Sequence, residues 1–200
     1  MRNLEEIYRE NFFSRRNKLN WRSNIICNGL SEIFKLKKND YIIDVGCATG
    51  DLVRELSIRG FNVEGIEGSS HAKKYFETNT IYVHDLRVLI NNLSLYKKFN
   101  LVMCIEVAEH IEPEYSDYFM ANLDYLTNEK IFITAAKPGQ QGHYHVNCQS
   151  PKYWIDKFKK YNFEYRDDMT YQVKKYFEPW KRKKGLSFFY ENSLIFERVP

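Results

Sequence analysis

Five residues, Tyr41-Ile42-Ile43-Asp44-Val45, apolar but for one acid, lead directly into Gly46-Cys47-Ala48-Thr49-Gly50-Asp51-Leu52. A short apolar run of this kind is the pattern of a strand buried on both faces, as in a parallel sheet. Glycines at 46 and 50 let the backbone turn sharply and approach a ligand with no Cβ in the way. Helical character follows from Asp51 to Ile58, and Gly60 closes it. Strand, glycine turn and helix open an α/β sheet whose ligands sit outside the carboxyl ends of the strands.

The alternation continues along the chain. Strands are predicted at Phe61 to Ile66, Ile81 to Val83, Leu101 to Ile105 and Ile131 to Ala135, with helices at Leu19 to Leu36 and Tyr115 to Leu126. Ser150-Pro151 reads as an N-cap with proline at the first helical position, opening a helix through Lys160. Phe163 to Tyr165 and Leu186 to Arg198 supply two closing strands. The expected fold class is therefore α/β, a three-layer sandwich with a mostly parallel seven-stranded sheet. With no repeat or linker, residues 1–200 read as a single domain, with a helical cap at 1–38 and a loop with lid helices at 136–185.

The 44% hydrophobic and 16% aromatic content can fill a core and excludes a disordered chain. No apolar run approaches the ~20 residues that span a bilayer. The first residues, Met1-Arg2-Asn3-Leu4-Glu5-Glu6, are too charged for a secretory leader. A soluble, cytoplasmic protein with no membrane partner is expected. Cys27, Cys47, Cys104 and Cys148 form no C-x-x-C pair, which argues against a disulfide framework or zinc–thiolate site. A net charge of +4 permits an anionic partner without demanding one.

The loop at 44–52 lacks both G-x-G-x-x-G and G-x-x-x-x-G-K-[ST] and carries acids on each side. That rim suits a cationic ligand with a free amino group better than a pyrophosphate. Glu67-Gly68-Ser69, after the second strand, places a carboxylate where it can accept both hydroxyls of a ribose. His84-Asp85-Leu86, after the third, adds an acid where an adenine amino group would lie. On these residues the chain resembles the class I S-adenosylmethionine (SAM)-dependent methyltransferase superfamily over roughly residues 40–135. The resemblance implies a Rossmann-like sandwich, with SAM as cofactor and S-adenosylhomocysteine (SAH) as product. It implies that Asp44, Gly46 and Gly50, with Cys47, Ala48 and Leu52, frame the methionine moiety. It places Glu67, Gly68 and Ser69 at the ribose, Asp85 and Leu86 at adenine, and Glu106 beside the cofactor.

After the fourth strand comes Glu106-Val107-Ala108-Glu109-His110. On a helix, positions i, i+3 and i+4 share one face, which would aim two carboxylates and an imidazole the same way. Two oxygens and one nitrogen suit Mg²⁺, Mn²⁺ or Fe²⁺. The string resembles that of small-RNA 2′-O-methyltransferases, where it binds a divalent metal with a later histidine, and that of ubiquinone-pathway O-methyltransferases. His145, five residues before Ser150-Pro151, best matches the later ligand, giving Glu106, Glu109, His110 and His145 as candidate metal ligands. Metal-free methyltransferases also carry E-x-x-E-H, so the metal-free reading stays open. In that case His143 or His145 could serve as general base on a hydroxyl, with His110 a third catalytic candidate.

Rings and cations interleave at Tyr8 to Arg16 and at Lys174 to Lys184, which suits either a lid or the stacking of bases. The reading that follows is SAM-dependent O-methylation of a hydroxyl on a small molecule or glycan, with a divalent metal such as Mg²⁺ as an added expectation. Methylation of an RNA ribose or end, and a non-catalytic SAM-binding partner subunit, remain as alternatives.

Overall fold

The computed structural model describes residues 1–91, 93, 95 and 98–199. Its strands are β1 (Tyr41–Val45), β2 (Asn62–Glu67), β3 (Ile81–Val83), β4 (Phe99–Ile105), β5 (Thr127–Thr134), β6 (Phe163–Tyr165) and β7 (Ser193–Arg198). They form one seven-stranded sheet in the order β3-β2-β1-β4-β5-β7-β6. The first five are parallel, while β7 runs antiparallel to both β5 and β6. The chain moves outward from β1 to β3 and then returns to lay β4 on the other side of β1. This reversal opens a crevice at the carboxyl ends of β1 and β4, the topological switch point at which such sheets bind ligands.

Successive strand residues point to opposite faces, so each run feeds two cores. Ile42, Leu101, Met103 and Phe132 pack on one side, beneath α3 (Ser23–Ile33), α4 (Asp51–Ile58), α7 (Asp167–Phe177) and α8 (Ser187–Asn192). Ile43, Val102, Cys104 and Ile131 pack on the other, beneath α5 (Ser116–Leu126) and α6 (Pro151–Lys159). Fully buried side chains such as Leu30 and Phe158 contribute about 2 kcal/mol each. Two short helices, α1 (Leu4–Ile7) and α2 (Glu10–Asn17), lie outside these layers, over the crevice.

The three-layer sandwich is the one the sequence predicts, with several local differences. Residues Leu186 to Arg198 are not one strand: Ser187–Asn192 is α8, and only Ser193–Arg198 joins the sheet. Phe189 stacks on Phe177 at 4.4 Å and on Phe132 at 6.0 Å, a tertiary contact that overrides the aromatic preference for strands. The helix expected from Leu19 begins at Ser23, after a 3-10 turn at Asn20–Arg22. The basic late segment is an amphipathic helix followed by a 3-10 turn. Its helix α7 buries Val173 and Phe177 in the sheet's core, leaving the lysines outside.

Candidate active site

The crevice has two connected lobes. The larger, of about 630 Å³, is walled by Gly46, Ala48, Glu67, Gly68, Asp85, Leu86, Glu106, Val107, His110 and Ile111 below, and by Leu4, Tyr8, Phe12 and Arg16 of the N-terminal cap above. The smaller, of about 290 Å³, is walled by Arg16, Arg22, Asp44, Gly46, Cys47, Ala48, Asp51 and Leu52. Gly46, at φ +80°, must be glycine: a Cβ there would lie 2.3 Å from Val107 Cγ2. Ala48 and Glu106 hold φ of 51° and 55°, a left-handed conformation costly for side-chain-bearing residues.

Glu67 is buried at the end of β2, and each carboxyl oxygen accepts one backbone N–H: Ser69 N at 3.0 Å and Ala48 N at 2.9 Å. Burial raises its pKa to about 6 despite these bonds. A carboxylate so fixed keeps further lone pairs for a ligand's paired hydroxyls. Asp44, in the smaller lobe, is pushed up to about 8, first by burial and then by the nearby charges of Asp51 and Glu67. Opposite the acids stand Arg16, whose Nε is buried without a hydrogen-bond partner among the described residues, and Arg22, which donates to Gly185 O at 3.0 Å. Burial lowers the Arg22 pKa to about 10. The smaller lobe thus offers both signs of charge.

Two of the residues expected at the cofactor are placed differently. Gly50 lies outside both lobes and serves as the left-handed cap of α4, at φ 75°. Ser69 turns its hydroxyl toward Glu5 (2.8 Å) and Tyr8 O (3.0 Å), tying down the cap. Asp85 lines the larger lobe, but its carboxylate is clasped by Arg87 at 2.8 Å. Arg87, itself buried, also reaches Glu112 at 2.9 Å and donates to Arg2 O at 2.8 Å.

Across the crevice the E-x-x-E-H segment is not a continuous helix. Glu106 N–H donates to Thr134 O and Oγ1, which fixes the residue beyond the end of β4, and only Ala108–His110 forms a 3-10 turn. Glu106 and Glu109 therefore do not share a helix face. Glu106 takes a hydrogen bond from Asn192 Nδ2 at 3.2 Å, and burial raises its pKa. Glu109 joins His110 and His145, their ligating atoms all within 4.8 Å of one another. Three of the four expected ligands are thus brought together, two nitrogens and one oxygen.

His110 Nδ1 lies 3.0 Å from Tyr144 O, and His145 Nδ1 lies 3.0 Å from Gln140 O. Carbonyls only accept, so each Nδ1 carries the proton and each Nε2 keeps a lone pair. His145 Nε2 stands 4.0 Å from Glu109 Oε1. Glu109 is fully buried, and among the described residues neither of its oxygens completes a hydrogen bond, although the backbone N–H groups of Glu109 and Ala136 lie near enough to favour its charged form. Burial and then the proximity of Glu106 raise its pKa to about 8, while burial lowers His110 to about 4. A Cβ at Gly142 would sit 2.0 Å from His145 Nε2 and 2.3 Å and 2.4 Å from the two ring carbons beside it, so this glycine leaves room for the face of the imidazole.

His143 stands apart from this triad. Its Nε2–H donates to Ile7 O at 2.9 Å, and its ring meets Tyr8 at 5.8 Å and Phe12 at 5.7 Å. The Tyr8 hydroxyl is buried without a hydrogen-bond partner among the described residues; burial, then the charges of Glu67 and Glu109, push its pKa up. Sequence reasoning marked Tyr8 to Arg16 as a cap but missed the individual residues. Their signal was Leu4, Tyr8, Phe12 and Arg16 at every fourth position. Gly142, Arg22 and Asn192 were also missed, and no local pattern marks them.

A family model described as a methyltransferase domain matches residues 19–167. Among curated proteins, the ubiquinone biosynthesis O-methyltransferase of Rickettsia bellii (strain OSU 85-389) is 36% identical over 104 residues, 48% of this chain and 42% of that protein. The corresponding protein of Rickettsia typhi is 37% identical over 92 residues, 40% of this chain and 36% of that protein. The match thus spans about two fifths of the length of these relatives. Among solved structures, magnesium protoporphyrin IX methyltransferase from Synechocystis with bound SAM aligns with a TM-score of 0.60 at 16% identity, covering 98% of this chain and 89% of that one. A putative methyltransferase in complex with the Haloferax volcanii Trm112 activator aligns at 0.63 and 11% identity, covering 96% and 97%. At these identities the structural likenesses speak for the fold.

Proposed function

This chain belongs to the methyltransferase domain family, and on that footing we propose that it transfers the methyl group of SAM to a hydroxyl oxygen of a small molecule, assisted by a divalent metal. The two lobes fit the parts of SAM. Asp44 offers a carboxyl to the ammonium of the methionine moiety, while Arg16 and Arg22 answer its carboxylate. Glu67, fixed from behind by two N–H groups, accepts the ribose hydroxyls. Leu86 and Ile111 face the adenine with apolar surface. The cap closes the lobe with Leu4, Tyr8 and Phe12, excluding water from the donor.

On the acceptor side, the observation that carries the reading is Glu109, buried beside two imidazole lone pairs with neither oxygen in a completed hydrogen bond among the described residues. A buried carboxyl left so costs several kcal/mol unless a cation or proton satisfies it. Second-shell carbonyls that fix both histidines as Nε2 donors are what metal-ligating imidazoles need. Two nitrogens and one oxygen favour Mn²⁺, Fe²⁺ or Zn²⁺ over Mg²⁺, which prefers oxygen. When bound, such an ion would orient the acceptor hydroxyl and lower its pKa. A histidine lowered to about 4 is a weak general base, which suits His110 to ligation rather than proton abstraction. The O-methyltransferase names of the curated relatives support oxygen as the acceptor atom. An RNA acceptor gains no such support, since Phe177 is buried and Tyr176 and Trp180 pack against it instead of standing free to stack bases.

The test is transfer of tritiated methyl from SAM to a catechol probe after chelation with EDTA, with and without Mn²⁺ restored. Label on oxygen that falls by roughly a hundredfold or more with EDTA and returns with Mn²⁺ is expected. Transfer indifferent to EDTA would remove the metal from the account.

A further inference from the structure

We propose that His143 is a positioning residue that latches the N-terminal cap to the metal-binding loop, so that an ion held by Glu109, His110 and His145 tightens the crevice on its adenosyl ligand. The inference rests on the metal reading above.

Loop 140–147 is tied to all three ligands. It contains His145; its Tyr144 carbonyl orients His110; and its Val146 and Asn147 N–H groups both donate to Glu109 O, at 3.0 and 2.9 Å. Tyr144 sits in this loop at φ 56°, the kind of strained turn that marks a segment held in place by its surroundings.

The same loop grips the cap. His143 bonds Ile7 O and packs on Tyr8 and Phe12, both of which wall the larger lobe. Tyr144 lies under the Arg2 guanidinium at 5.6 Å, and its hydroxyl donates to Glu112 at 3.0 Å. Glu112 holds Arg87, which in turn clasps Asp85.

His145 Nε2 and Glu109 Oε1 are 4.0 Å apart. An ion held by both would favour a closer approach of His145 and its loop to Glu109, and His143 would carry that approach to the cap. A ligand beneath the cap and an ion behind the loop then favour the same closed arrangement, and by linkage each strengthens the other by one shared factor. One hydrogen bond and two ring contacts set that factor at roughly tenfold.

The experiment is calorimetric titration of the full chain with SAH, in metal-free buffer and at saturating Mn²⁺, and of Mn²⁺ with and without SAH. In the wild type, Mn²⁺ should tighten SAH about tenfold, and SAH should tighten Mn²⁺ equally. In His143→Ala both factors should fall to near one, while Mn²⁺ affinity without SAH stays within about threefold of wild type, because His143 is no ligand. His143→Gln, whose amide N–H can still serve Ile7 O, should restore most of the coupling. Tryptic cleavage after the exposed Arg9 and Arg15 should slow with Mn²⁺ in the wild type and not in His143→Ala. Mn²⁺ binding that leaves SAH affinity unchanged, or coupling that survives in His143→Ala, would overturn the latch and leave the metal site standing. No Mn²⁺ binding to the wild type would remove both.

Discussion

Glu67, at the end of β2, and Glu109, in the 3-10 turn beyond β4, are both buried carboxyls, yet each oxygen of Glu67 accepts a backbone N–H while neither oxygen of Glu109 completes a hydrogen bond among the described residues. The donor half around Glu67 carries its carboxylates and glycines within a few residues of β1, β2 and β3, under the N-terminal cap. The metal-binding half around Glu109 is assembled from residues 106–112 and the distant loop 140–147. In the first the key carboxylate is already fixed by the backbone; in the second it holds unmet valences that a ligand must answer. Local loops can satisfy their own polar groups, while a site gathered from distant segments leaves its final contacts to the incoming ion and acceptor.

The sharpest break in this comparison should come from Gly46→Ala. Its Cβ would meet Val107 Cγ2 at 2.3 Å in a left-handed backbone, driving Val107 into the larger lobe. SAH affinity should fall by roughly a hundredfold, with a lower melting temperature, read by calorimetry and thermal unfolding. Gly142→Ala should strike only the metal-binding half. It crowds His145 Nε2 and should weaken Mn²⁺ by about 10- to 100-fold, while SAH binding in metal-free buffer stays unchanged.

The smallest effect concerns stability. Asp44 has a folded pKa of about 8 against the ordinary 3.8 of an aspartate, so between those values the folded chain retains a proton that the unfolded chain has released. Stability therefore falls as pH rises through this window. Asp44→Asn should flatten that slope and, at pH 8, stabilise the ligand-free chain by on the order of 2 kcal/mol, measured by urea unfolding at pH 5.5 and 8. The same change should weaken SAH, which loses its ammonium partner.

The contrast also explains what the sequence could convey. Tyr41 to Val45 with Gly46, the carboxylate of Glu67 and the pair Asp85-Leu86 were legible because each motif sits beside its own strand. E-x-x-E-H was legible as composition but not as geometry. The rule joining i, i+3 and i+4 needs a helix, and the hydrogen bonds of Glu106 to Thr134 prevent one. His145 was found, yet its neighbour His143 proved to face the cap, a contact between residues 136 positions apart that no local pattern encodes. Asn192 was hidden by the strand expected there, because the stacking that makes Ser187–Asn192 helical comes from Phe132 and Phe177.

The most direct test is to titrate SAH, in metal-free buffer, into the wild type, Glu67→Ala and His145→Ala. If the halves are separable and the donor half is the SAM site, Glu67→Ala should lose roughly 30- to 100-fold in affinity, since it removes charge-assisted bonds to the ribose. His145→Ala should bind within about threefold of wild type. Equal losses in both variants, or full affinity in Glu67→Ala, would contradict the assignment of the cofactor to β1, β2 and β3.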